Sequence, residues 1–199
     1  MTLLHLRAAD RAASPWRNGG GVTREVMVSP AGADLATFDW RVSIADVASD
    51  GPFSVFPGID RRMAVLTGTG IRLAVEGAAA IDLAPGDPPA VFSGDARTSG
   101  HLIDGPIRDL NVMTRRGVAF ARMWRLEIAQ EQEIAIAGQT LLLWETDGGW
   151  IEAGEARLHP AALDAAFAAQ AGSVRLGAVN RASLWFIDLS GDERGRSSV

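Results

Sequence analysis

Short stretches in which apolar and polar residues alternate, each closed by a turn rich in Gly, Pro, Asp or Ser, recur along nearly all of the 199 residues. A period of two belongs to strands, and many short strands at regular spacing build a β-sandwich or barrel. The pattern is cleanest over residues 38–47, where Trp40, Val42 and Ile44 face one way and Arg41, Ser43 and Ala45 the other. Similar segments follow at 71–75, 81–83, 91–92, 108–114, 118–126, 174–179 and 183–189, and residues 3–7 can open the series. Residues 22–28 read as a strand with Val22, Arg24, Val26 and Val28 on one face and Thr23, Glu25 and Met27 on the other. Only residues 160–171, rich in Ala with Leu163 and Phe167, read as a short helix, and the polar tail 190–199 is expected to fray.

Residues 53–70 pass from a Pro/Gly loop through Asp60-Arg61-Arg62 into the apolar run Met63-Ala64-Val65-Leu66 and end on Gly68-x-Gly70. Arg61 stands where a strand begins to point alternate side chains inward. A guanidinium facing a sheet interior needs an anion or a carboxylate opposite it. The competing reading leaves Asp60 and Arg61 flanking the strand on a wet rim. Asn111, set between Leu110 and Val112, is either a satisfied core amide or a ligand contact.

Composition removes several function classes. A net charge of −5 and a pI near 5.2, with no basic stripe, argue against a nucleic-acid partner. No cysteine is present, so there is neither a disulfide framework nor a thiolate metal site. All 19 basic residues are arginine, which excludes a Schiff-base or phosphate-binding lysine, and the absence of tyrosine removes one general acid. His5, His101 and His159 are far apart in the chain, and no G-x-S-x-G motif supports a serine nucleophile. Gly19-Gly20-Gly21 lacks both the lysine and the following helix of a phosphate loop. The six tryptophans read as core fillers and Arg115-Arg116 as a solvated turn. No leader pattern opens the chain and no apolar run approaches the roughly 18 residues of a spanning helix, so a cytoplasmic protein with no membrane partner is expected.

Beyond residue 120 the pattern starts again. Residues 139–155 hold an apolar strand, a Gly turn, a second strand and Ala153-Gly154-Glu155, much as residues 71–87 lead to Pro85-Gly86-Asp87. This weak repeat suggests two stacked β units.

Three motifs resemble those of the HutD/Ves family. They are Trp16-Arg17-Asn18-Gly19-Gly20-Gly21-x-Thr23-x-Glu25; Arg41-x-Ser43 with Gly51-Pro52-Phe53-Ser54-x-Phe56-Pro57-Gly58-x-x-Arg61 and Leu66-x-Gly68-x-Gly70; and Asp109-Leu110-Asn111-Val112-Met113-x-Arg115-Arg116-Gly117. They cover residues 16–117, and Leu110 stands where the family usually has an aromatic. The resemblance implies an all-β bicupin, two stacked cupin-type β-barrels or sandwiches with one or two short helices, commonly a homodimer. Residues 1–120 would form the unit that carries the ligand pocket, with some strand exchange, and residues 121–199 a smaller, degenerate unit. In the general cupin metal motif, the glutamate slot seven positions before Gly68 falls on Arg61, and the two histidine slots fall on Ser54 and Phe56. The histidine slot of the second motif, anchored on Gly86, falls on Pro89. All four usual ligands are replaced, so no metal or other cofactor is expected and a guanidinium takes the place of the ion.

On that reading Asn18, Thr23, Glu25, Arg41, Ser43 and Ser54 line the pocket mouth together with Asn111 and Arg115, and Phe56 and Met113 form an apolar wall. Arg61 offers its fork to a carboxylate or formyl-type oxygen, and Glu25 is expected to pair with it when the pocket is empty. Three functions follow. The first is a non-enzymatic protein that binds a small anionic metabolite of histidine utilisation, such as urocanate or a formyl or formimino derivative of glutamate, in a regulatory or buffering role. The second is a metal-free isomerase, hydrolase or lyase with Glu25 as base and Arg61 as charge stabiliser, disfavoured because no His or Tyr stands ready. The third is a general stress protein, as the Ves branch implies.

Overall fold

The computed structural model of the chain describes residues 1–191. In order, the strands are β1 (Leu3–Leu6), β2 (Ala13–Pro15), β3 (Gly21–Ser29), β4 (Trp40–Val47), β5 (Gly51–Pro52), β6 (Ile59–Thr67), β7 (Ile71–Val75), β8 (Ile81–Leu83), β9 (Ala90–Ser93) and β10 (Thr98–Leu102). There follow β11 (Ile107–Arg115), β12 (Ala119–Ile128), β13 (Gln132–Ile136), β14 (Gln139–Trp144), β15 (Gly149–Ala153), β16 (Ala156–Leu158), β17 (Ala165–Ala168), β18 (Gly172–Ala178) and β19 (Ala182–Gly191). The helical content of the described residues is a single 3-10 turn, Ala8–Asp10. Of the tail expected to fray, residues 190–191 complete β19, and 192–199 lie outside the described residues.

Two compact units emerge, each a pair of antiparallel sheets. Residues 12–120 form a six-stranded sheet ordered β2-β3-β4-β11-β6-β9 and a four-stranded sheet ordered β5-β10-β7-β8. Residues 1–11 and 121–191 form a five-stranded sheet ordered β1-β17-β14-β19-β12 and a four-stranded sheet ordered β13-β18-β15-β16. The strand β1 belongs with residues 121–191. Leu3–Leu6 pairs with β17, and His5 Nε2 lies 2.9 Å from Asp164 Oδ2 within the same unit.

The core of the 12–120 unit follows from the period of two. Ala45 and Val47 of β4, Met63 and Val65 of β6 and Ile107 of β11 pack with Ile71, Leu73 and Val75 of the opposing sheet. Each of the larger side chains among them, taken fully out of water, contributes about 1.5–3 kcal/mol. Three readings of the sequence change. The stretch 160–171 is a turn followed by β17, which is hydrogen-bonded on both sides by β1 and β14. Pairing outweighs the helical preference of its alanines, and Leu163, at φ 68, lies outside helical geometry. In β3, Glu25 pairs with Ser43 but Met27 pairs with Val42, so Val26 is bulged and the faces exchange. Val28 accordingly falls opposite Arg41, on the face of Thr23 and Glu25. The repeat is also out of register: β7 and β8 are partners in one sheet, whereas β14 and β15 belong to different sheets.

Candidate functional site

Between the two sheets of the 12–120 unit lies a cavity of about 790 Å³. The six-stranded sheet supplies most of its polar lining because alternate residues point inward. These are Thr23 and Glu25 from β3, Arg41, Ser43 and Ala45 from β4, Arg61 from β6, and Asp109, Asn111 and Met113 from β11. Phe53, Phe56 and Ile71 provide apolar wall. On β10 a side chain at Gly100 would collide with Ile71 and with Phe53, at 2.7 and 2.8 Å. Glycine there leaves room for the two residues that shape the wall.

Arg61 anchors the floor. Its residue exposure is 5%, and Nη2 donates to Asn111 Oδ1 at 2.7 Å. Rings surround the guanidinium, with Phe53 at 4.9 Å, Phe92 at 5.0 Å and Phe56 at 6.0 Å from the centroid. Asn111 turns its amide Nδ2 to Asp109 Oδ1, so a guanidinium, an amide and a carboxyl run in series along the floor. Register explains the series, since Asn111 pairs with Met63 and Met113 with Arg61, and Asp109, Asn111 and Met113 share one face of β11. Burial brings the Arg61 pKa down to about 10, against the pull of Asp109, so the group is charged at neutral pH. Burial pushes the Asp109 carboxyl up to about 7, against the opposing effects of Arg61 and of the Asn111 hydrogen bond.

The mouth is organised by a second arginine. Arg41 Nε donates to Glu25 Oε2 at 2.7 Å, and its Nη1 lies 3.4 Å from Ser43 Oγ. The expected pairing of Glu25 with Arg61 is thus replaced by a pair across neighbouring strands, where Glu25 and Ser43 are in register. Trp16 packs against the core and also lines the cavity, and its Nε1 donates to Thr23 Oγ1 at 2.8 Å. Its ring lies over Gly21, where a Cβ would come within 3.0 Å of it. Asn18 caps the glycine turn by accepting from the Gly20 N–H at 3.1 Å.

Ten of the eleven residues singled out in the sequence line the cavity: Asn18, Thr23, Glu25, Arg41, Ser43, Ser54, Phe56, Arg61, Asn111 and Met113. Arg115 does not. It donates from Nε to the Phe38 carbonyl at 2.9 Å and from Nη2 to the Ala36 carbonyl at 2.7 Å. It thereby ties down the loop that brings Ala33, Asp34 and Leu35 to the cavity. Its neighbour Arg116 is a surface hub, bridging Asp60 and Asp95. Sequence reasoning passed over Asp109, Trp16 and Phe53. For Asp109 the signal was available, because it stands two residues before Asn111 on a strand and so shares its face. Among the described residues no cluster of three or more His, Asp or Glu side chains is arranged to hold a metal ion. No helix among them is long and apolar enough to cross a membrane.

Comparison with known proteins gives this geometry a family. The chain is 45% identical over 108 residues, 54% of its length, to an uncharacterized 21.2 kDa protein in the hutC 3′ region of Pseudomonas putida. It is 41% identical over 103 residues to protein Ves of Citrobacter koseri. These matches take in 56% and 52% of the two relatives, so the chain spans about half the length of the curated relatives it matches. Solved structures are matched along nearly their whole length. A conserved protein of unknown function from Pseudomonas aeruginosa PAO1 superposes with TM-score 0.89 at 36% identity, covering 96% of this chain and 100% of that one. HutD from Pseudomonas fluorescens SBW25, in a formate condition, superposes with TM-score 0.81 at 31% identity, covering 96% and 99%. A cupin 2 conserved barrel domain protein from Leptotrichia buccalis, only 10% identical, shares the fold with TM-score 0.60, covering 85% and 89%. The fold is all-β and cupin-like, and with the HutD family model matching residues 8–186, the chain belongs to the HutD family.

Proposed function

We propose that the cavity binds a small carboxylate-bearing metabolite of histidine utilisation, with Arg61 as its anchor, and that the protein senses or buffers that metabolite rather than transforming it. The observation that carries this reading is the state of Arg61: a charged guanidinium, almost wholly buried, facing a cavity and hydrogen-bonded to a neutral amide. A buried charge is costly unless something pairs with it, and a planar fork suits a carboxylate. The Phe53 and Phe56 walls suit a flat or aliphatic body attached to that carboxylate. The hut names of its relatives favour urocanate or a formyl or formimino derivative of glutamate as ligand. A catalytic role for Glu25 is disfavoured because its carboxylate is already engaged by Arg41, whose Nε lies 2.7 Å from Oε2. We place the protein in the cytoplasm as a homodimer.

Titration calorimetry with urocanate and with N-formyl-L-glutamate tests the reading. Binding without turnover over hours is expected. Removing one partner of a buried charged contact costs about 2–5 kcal/mol, so Arg61→Ala should weaken binding roughly thirtyfold or more. Unchanged affinity in a folded Arg61→Ala protein, or conversion of either compound, would overturn it.

A further inference from the structure

The cavity is lined by three arginines, Arg17, Arg41 and Arg61, and four carboxyl groups, Glu25, Asp34, Asp50 and Asp109. Fully ionised, it is an unfavourable place for an anion. Resting on the function proposed above, we infer that Asp109 takes up a proton from solvent as an anionic ligand settles on Arg61, so that the cavity binds anion and proton together.

Geometry carries the inference. Asp109 is 1% exposed, and its Oδ2 has no hydrogen-bond partner among the described residues, while Oδ1 accepts from Asn111. The same amide accepts from Arg61 through its oxygen, so Asp109 touches the anchor's charge through one intervening side chain. Across the ladder Asp109 lies between Ala45 of β4 and Val65 of β6. Those two pack with Ile71 and Leu73 of β7, so the opposing sheet offers it apolar neighbours. The charged groups around it are therefore few. From β6 there is Arg61; along β4 there are Arg41, paired with Glu25 of β3, and Asp46, which is clamped by Arg24 and Arg108. Although burial opposes it, those two arginines hold Asp46 below the usual carboxylate range, so its negative charge persists beside Asp109.

With Arg61 free, its positive charge helps Asp109 to ionise. A ligand carboxylate on Arg61 cancels that help and adds a like charge, and both effects favour the neutral acid. The empty site sits at the point where such a push matters, since Asp109 titrates at about 7. Affinity is then constant below that pH and falls as pH rises from about 7 to the higher value of the complex, by up to about tenfold per pH unit. Asp109 acts through Asn111 and is a positioning residue, so its mark is the proton count rather than affinity alone.

The probe is N-formyl-L-glutamate, none of whose groups titrates between pH 6 and 9. Calorimetry at pH 8 in two buffers of different ionisation enthalpy counts the protons exchanged. The wild-type protein should take up a substantial fraction of one proton and bind progressively more weakly from pH 7 to 9. Asp109→Asn should take up none, lose the pH dependence and bind more tightly than wild type at pH 9. His101→Gln, which removes the histidine 3.3 Å from Asp50, should leave the proton count unchanged. Should Asp109→Asn not fold, the carboxyl carbon resonance of Asp109 in the wild-type protein must titrate at higher pH with ligand than without. Binding with no proton uptake, or uptake that persists in Asp109→Asn, overturns this inference and leaves the binding function standing. A wild-type protein that binds no ligand overturns both.

Discussion

The two sandwiches place opposite chemistry at matching positions. In the 12–120 unit, β11 lies between β4 and β6; in the other unit, β19 lies between β12 and β14. On β11 and β6 the inward residues include Asp109, Asn111 and Arg61. On β19 and β14 they include Leu184, Phe186, Leu142 and Trp144, all buried in one apolar cluster, with Asp188 and Thr140 paired further along the same faces. Glycines complete the filling, since a Cβ on Gly149 would collide with Trp144 and one on Gly177 with Trp150. One scaffold thus carries a polar floor in one unit and a packed apolar core in the other.

The contrast can be broken experimentally. Trp144→Ala should give the largest effect, a stability loss of about 3–5 kcal/mol in chemical denaturation. Phe53→Ala, on the cavity wall, should cost clearly less and act mainly on ligand affinity; equal losses would erase the difference between the units. Arg61→Met should abolish measurable binding while leaving stability at pH 6 unchanged or raised, because replacing a buried charge by an apolar group is often stabilising. A marked loss of stability would make Arg61 a structural residue. For Asp109, the folded-state pKa of about 7 lies above the unfolded value near 4. Its contribution to stability is therefore complete below about pH 4 and lost as pH rises through about 7. Asp109→Asn should raise the melting temperature relative to wild type at pH 8 and show little or no advantage at pH 4; an advantage independent of pH would contradict the assignment. Smallest of all, Arg72→Ala, which breaks an exposed pair with Asp82 in the 12–120 unit, should leave the denaturation midpoint unchanged within error, since solvent screens such a pair.

Strand alternation and glycine turns made the all-β architecture legible, because both are local. The shared faces of Arg41 with Ser43 and of Asn111 with Met113 are local for the same reason, while a pocket in front of them is what the family resemblance implied. What failed depended on partners distant in sequence. Glu25 was assigned to Arg61 because nothing local shows that β3 pairs with β4 while β6 lies two strands further on. The Val26 bulge exists only relative to β4. Residues 165–168 look helical in isolation and become a strand because β1 and β14 flank them. That Asp109 shares the face of Asn111 is local, whereas its burial depends on the opposing sheet and on strands distant in sequence.

The pairing of β1 with β17 has a consequence for assembly. Leu3–Leu6 is an edge strand whose partner is synthesised only after the entire cavity-bearing unit. Closing so long a loop carries an entropic cost, which favours a late docking of this segment, guided by the two hydrogen bonds that Asp164 accepts from the peptide N–H groups of Ala8 and Ala161. Deleting Leu3–Leu6 should therefore disturb the unit without the cavity and leave the cavity-bearing unit intact.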